Sequence, residues 1–107
     1  MTPEGKVKAL VKDALRENNI WFNMPVPAGY GEPMLDFICC VPYRDIGIFL
    51  AIETKAPGKK PTQRQEIMIN KMQAAGAKVF VIDGPEGVAQ LKQWLQQIKA
   101  FSDGQRS

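Results

Sequence analysis

The sequence predicts a mixed α/β fold: a small sheet flanked by helices, in the order α-β-β-β-α-β-α. Three observations lead there. Residues 3–17, 62–75 and 84–100 place apolar side chains at helical spacing. Three β-rich runs follow one another between the first and second helices. The last of these, Ile48-Phe49-Leu50-Ala51-Ile52, is apolar throughout, as in a central strand covered on both faces. Consecutive strands suit an antiparallel meander. The helix between strands three and four makes a right-handed crossover that sets those two strands parallel.

The first helix spans residues 3–17. Thr2 is a good N-cap, Pro3 suits the first helical position and Glu4 favours the positive end of the dipole. Val7, Leu10, Val11, Ala14 and Leu15 form its apolar face, and Asn18-Asn19 ends it. Residues 20–26 read as a short strand with Pro25 and Pro27 at its exit, and Trp21 and Phe22 as core or interface. Gly29, Gly31 and Pro33 make residues 28–33 a turn or mobile loop. Strands follow at 34–41 and 48–55, separated by a turn at 42–47. After the loop at 56–61, Thr62 caps a second helix running to about Ala75, with Ile67, Met68, Met72 and Ala75 on its apolar side and Gly76 after its end. Residues 78–83 form the fourth strand. The last helix buries Val88, Leu91, Trp94, Leu95 and Ile98. Its length suits one domain, residues 1–100, followed by a flexible tail at 101–107.

Composition narrows the chemistry. The 107 residues include no His, and the only serines are Ser102 and Ser107. This removes imidazole acid–base catalysis, a Ser-His pair and an HExxH metal site. Cys39 and Cys40, adjacent in a strand, read as a reduced, buried pair. No apolar run approaches the ~20 residues of a membrane span. No apolar stretch of signal-peptide type follows Met1, so a cytoplasmic location is expected. A net charge of +3 permits a polyanionic partner without demanding one.

The central strand ends in Glu53-Thr54-Lys55, which puts Glu53 and Lys55 on one face. The preceding strand carries one charge, Asp36, among Met34, Leu35, Phe37 and Ile38. Burying a lone charge is costly unless it is paired or metal-bound. A hairpin of these strands brings Asp36 to the Glu53/Lys55 end. Asp36 and Glu53 then offer hard oxygen ligands for Mg²⁺ or Mn²⁺, with the Thr54 carbonyl as a further ligand. Lys55 would hold the attacking water or neutralise charge on a phosphate. The plainer alternative is a Glu53–Lys55 ion pair, with Asp36 capping a turn.

This combination resembles the PD-(D/E)xK nuclease superfamily and, more narrowly, the small stand-alone VRR-NUC domains of phages and bacteria. The resemblance runs from Thr2 to about Leu95. It rests on Glu4, the Gly-containing loop before Asp36, Ile52-Glu53-Thr54-Lys55, Gly58-Lys59-Lys60-Pro61-Thr62, Gln65 and Ala75-Gly76-Ala77. It implies a restriction-endonuclease-like α-β-β-β-α-β core and a metal-dependent phosphodiesterase acting on DNA. By the same resemblance, Asp36, Glu53 and Lys55 form the catalytic set, Glu4 assists the metal or water, and Gln65 matches the glutamine of the second helix. The family usually has Pro or a small residue before the Asp, whereas here Leu35 stands there, and Glu32 is a second acid nearby.

Glu4 and Gln65 also have ordinary structural readings. An acid in the first helical turn is favourable by ~0.3–1 kcal/mol, and Thr62-x-x-Gln65 is a capping box. Residues 53–78 hold six Lys/Arg against two Glu. Lys59, Lys60 and Arg64 there are either a solvated face or contacts to a phosphate backbone. Tyr30, between two glycines, is the better aromatic candidate for stacking on a base. So small a chain has little room for base-specific readout. Structure-selective cleavage at branched DNA such as a Holliday junction is expected, and the junction's two-fold symmetry implies a homodimer. The alternatives are a flap or single-strand junction nuclease, a non-catalytic nucleic-acid-binding protein on the same scaffold, and an interaction module.

Overall fold

The computed structural model describes residues 1–26 and 34–104. Tyr30 and Glu32 lie outside the described residues, as do the other positions in 27–33 and 105–107. Helix α1 spans Pro3–Glu17, β1 Trp21–Asn23, β2 Phe37–Tyr43 and β3 Ile46–Thr54. They are followed by α2 (Gln63–Ala74), β4 (Lys78–Ile82) and α3 (Pro85–Gly104). The sheet order is β1-β2-β3-β4; β1/β2 and β2/β3 are antiparallel and β3/β4 parallel. The antiparallel meander and the parallel pairing of the third and fourth strands expected from the sequence are both present.

Alternation along the strands gives the sheet two unlike faces. The inner face carries Phe37, Cys39, Val41, Leu50, Ile52 and Ile82, packed against Val7, Val11, Ala14 and Leu15 of α1 and Val88, Leu91 and Leu95 of α3. Among the described residues the outer face is covered at one end only, where Leu35, Ala51 and Ile69 pack with Met68, Met72 and Val79. The central strand is therefore buried on both faces only in its second half. Phe49 is exposed, and so are its cross-strand neighbour Cys40 and, beyond that, Trp21.

Several local expectations need correction. Strand β1 is three residues long, because it pairs with β2 alone and runs into Pro25. Trp21 is 63% exposed and so is not core, while Phe22 packs against the core. In α1, Leu10 lies at the margin of the buried stripe and is exposed. In α2 the buried residue is Ile69, whereas Ile67 and Ala75 face outward; the helix touches the sheet along Met68, Ile69 and Met72. The cysteines are free as expected, but only Cys39 is buried. Burial pushes the Cys39 thiol up to about 12.

The segment expected to be a tail from residue 101 continues α3 to Gly104. The reason is Ser102. It is buried, and its Oγ accepts a hydrogen bond of 2.7 Å from the Arg44 N–H in the β2–β3 turn. Arg44 has φ 57°, in the left-handed region, and the Ser102 bond satisfies the amide that this turn leaves over. Among the described residues no helix is long and apolar enough to cross a membrane.

Candidate active site

At the C-terminal end of β3, apolar strand gives way to charge. Glu53 and Thr54 are both buried there, beneath the point where β4 pairs in parallel as Glu53↔Val81 and Thr54↔Ile82. Their neighbour across β2 is Asp36. It does not sit within the strand, as the sequence pattern suggested. It occupies a bend one residue before Phe37, which pairs with Ile52. The bend turns its carboxylate back over the end of β3.

Three hydrogen bonds fix the two acids. The Thr54 N–H and the Thr54 hydroxyl both donate to Asp36 Oδ2, at 3.0 and 2.6 Å. The Asp36 N–H donates to Glu53 Oε1 at 3.3 Å. Lys55 Nζ lies 3.4 Å from Glu53 Oε2, so the shared face read from Glu-x-Lys is formed. The Lys55 N–H donates to the Ile82 carbonyl, which ties the end of β3 to β4. The Glu53 carboxyl is pushed up to about 6. Burial is the main cause and the Asp36 charge adds to it; Lys55 and the Asp36 N–H oppose the rise.

Glu4 stands further out. It meets this group through Lys8, whose Nζ is 3.5 Å from Glu4 Oε2 and 3.8 Å from Asp36 Oδ1. Lys8 has no signature in the sequence beyond Glu-x-x-x-Lys spacing, a common helix-surface pattern, and only the packing of α1 reveals its contact with Asp36. Gln65 completes the capping box. Its Oε1 accepts from the Thr62 N–H at 2.9 Å, while its own N–H donates to Thr62 Oγ1 at 3.2 Å. This leaves the Gln65 amide NH₂ as its donor toward other groups.

Lys59, Lys60 and Arg64 are exposed on the loop after β3 and in the first turn of α2. The loop is shaped by a residue that the sequence reading did not single out. Asp83, just after β4, accepts from the Gly58 N–H at 3.1 Å, with Gly58 at φ 80°. Glycine is needed at that φ, since L side chains rarely adopt it.

The donor set can be tested against a divalent ion. Among the described residues, no three Asp, Glu, Cys or His side chains stand close enough to hold a metal. Asp36 and Glu53 are adjacent, however, and Asp36 Oδ1 receives no hydrogen bond from Thr54. Mg²⁺ commonly binds through one or two carboxylates plus water and substrate phosphate, so this pair fits it. The set does not make the closed cage of a structural metal.

No family model and no curated protein matches the sequence. Among solved structures, one described as "VRR_NUC domain" superposes with a TM-score of 0.73 at 22% identity, covering 87% of this chain and 97% of that one. The length and order of the elements, the mixed sheet and this superposition agree: the chain has the fold of a VRR_NUC domain.

Proposed function

We propose that the chain is a Mg²⁺- or Mn²⁺-dependent DNA endonuclease that hydrolyses phosphodiester bonds at branched DNA such as Holliday junctions. It acts as a homodimer in the cytoplasm of a bacterium or a phage-infected host. The observation that carries this reading is the meeting of Asp36, Glu53 and Lys55 at one strand end, on a fold shared with a VRR_NUC domain.

Asp36 and Glu53, with the Thr54 carbonyl, are the groups that would hold the ion. The bound ion supplies a contact to a phosphate oxygen, a lowered pKa for water and charge to offset the transition state. Thr54 locks Asp36 against rotation by donating twice to one of its oxygens. Lys55, mostly buried beside Glu53, presents a fixed ammonium to the attacking water or to charge developing on phosphate. The Gln65 NH₂ is a further donor at the start of α2, and Glu4 acts at the rim. Lys59, Lys60 and Arg64 meet the phosphate backbone, helped by the partial positive charge of the α2 N-terminus. A four-way junction is two-fold symmetric, so paired cuts call for two sites related by a dimer axis.

The test is a DNA panel of a four-way junction, a flap, a duplex and a single strand, each with Mg²⁺, Mn²⁺ or EDTA. Wild type should cut the junction best with either metal and not at all in EDTA. Lys55→Ala should lose cutting while still binding DNA, and sedimentation should give a dimer mass. No cutting of any substrate in either metal overturns the enzyme reading and leaves a nucleic-acid-binding protein.

A further inference from the structure

Lys8 faces a particular oxygen. Asp36 Oδ2 is taken by Thr54, while Asp36 Oδ1 has Lys8 Nζ at 3.8 Å. Both oxygens of Glu53 are engaged as well, one by the Asp36 N–H and the other by Lys55. A cation approaching the two acids therefore meets Lys8 at the Asp36 oxygen that Thr54 leaves over.

We propose that Lys8 is a displaceable counter-ion: it occupies Asp36 Oδ1 while no divalent ion is bound, and must swing away for one to bind. This rests on the reading of Asp36 as a metal carboxylate. Lys8 is suited to the task. Its side chain is about a third exposed (34%), so the ammonium has solvent to move into. It also has a second partner, because Glu4 lies one helical turn back at 3.5 Å, in the favourable Glu-before-Lys orientation. When Lys8 leaves Asp36 it stays tethered to Glu4. Glu4 thus acts through Lys8, as a positioning residue that holds the ammonium clear of the bound ion. The arrangement spares the two acids their mutual repulsion in the metal-free protein and lowers metal affinity in exchange.

The test measures metal binding without DNA. Mn²⁺ is titrated calorimetrically into wild type, Lys8→Met and Lys8→Arg, and melting temperatures are taken with and without Mn²⁺. Lys8→Met keeps the apolar stem and removes the charge. It should bind Mn²⁺ about fivefold tighter, the order expected when the ion no longer has to break an attraction between unit charges at ~4 Å in a largely solvent-screened setting. Its metal-free melting temperature should fall, and its rise on adding Mn²⁺ should exceed that of wild type. Lys8→Arg should stay close to wild type. Unchanged or weaker Mn²⁺ binding by Lys8→Met, or Lys8→Arg behaving like Lys8→Met, overturns the counter-ion role while leaving the metal site standing. Absence of Mn²⁺ binding by wild type overturns the metal site itself, and the counter-ion role with it.

Discussion

Thr54 donates twice to the same oxygen of Asp36, from its backbone N–H at 3.0 Å and from its hydroxyl at 2.6 Å. One residue of β3 thereby sets the rotamer of a carboxylate in the bend just before β2. Thr54→Val keeps the buried shape and the backbone bond but removes the hydroxyl. Hydrogen bonds to charged groups contribute about 1.5–3 kcal/mol, and urea unfolding should show a loss near the lower end, because the N–H bond survives. Mn²⁺ affinity should fall with it, since Asp36 gains freedom to turn.

The Glu53 carboxyl gives the metal-free protein a defined pH dependence. Its folded value of about 6 lies above the ordinary 4.5, so the native state binds the proton more tightly than the unfolded state. The stability this contributes is full below about pH 4.5 and is lost as pH rises through about 6. The total is on the order of 2 kcal/mol. Thermal melts in EDTA across this window should fall with rising pH. Glu53→Gln should flatten the fall, and saturating Mg²⁺ should do the same by favouring the ionised carboxylate.

Gln65 can be examined by a substitution that separates its two ends. Gln65→Glu keeps an oxygen to accept from the Thr62 N–H, so the capping box and the melting temperature should survive. It removes the NH₂ donor. Cleavage should drop by roughly 100-fold, the lower end of what losing a single transition-state donor costs. Thr62→Ala is the converse. It should cost ~0.5–2 kcal/mol of stability and leave turnover near that of wild type.

Ser102 tests the far end of the sheet. Ser102→Ala leaves the Arg44 N–H without its acceptor, which should cost about 1–3 kcal/mol in urea unfolding. Mn²⁺ binding and cleavage by the folded fraction should be unchanged, because the turn lies at the opposite end of β3 from Glu53.

Much of the fold was legible because its signals are local. The Thr2 and Thr62 caps, the periodicity of α1 and α3 and the apolar run in β3 each declare themselves within a few residues. Glu53 and Lys55 were legible for the same reason, since strand alternation alone puts them together. The phase of α2 was legible only in part: Met68 and Met72 reach the sheet as expected, but Ile69 was not told apart from Ile67. It buries only Ile69 outright, so its stripe is too thin to fix which isoleucine faces the sheet. The bend at Asp36 and the contacts of Lys8, Asp83 and Ser102 were not legible either. Each joins elements distant in sequence, and no spacing rule reports on such packing. Ser102 looked like part of a polar tail because its acceptor role depends on a turn 58 residues earlier.

The two acids are also close in the order of assembly. Asp36 and Glu53 are separated by 17 residues and joined by a single hairpin. Closing so short a loop costs little entropy, and hairpins form in about 1–10 μs. The contacts that join Asp36 to Glu53 and Thr54 are thus local to one hairpin, and none of them runs through β4. The same economy makes it sensitive to error. A one-residue slip between β2 and β3 would turn each side chain of one strand to the opposite face and part Asp36 from Thr54. The Arg44 turn fixes that register, and α3 holds it through Ser102. The pairing that sets the hairpin's register is therefore also the pairing that joins the two acids.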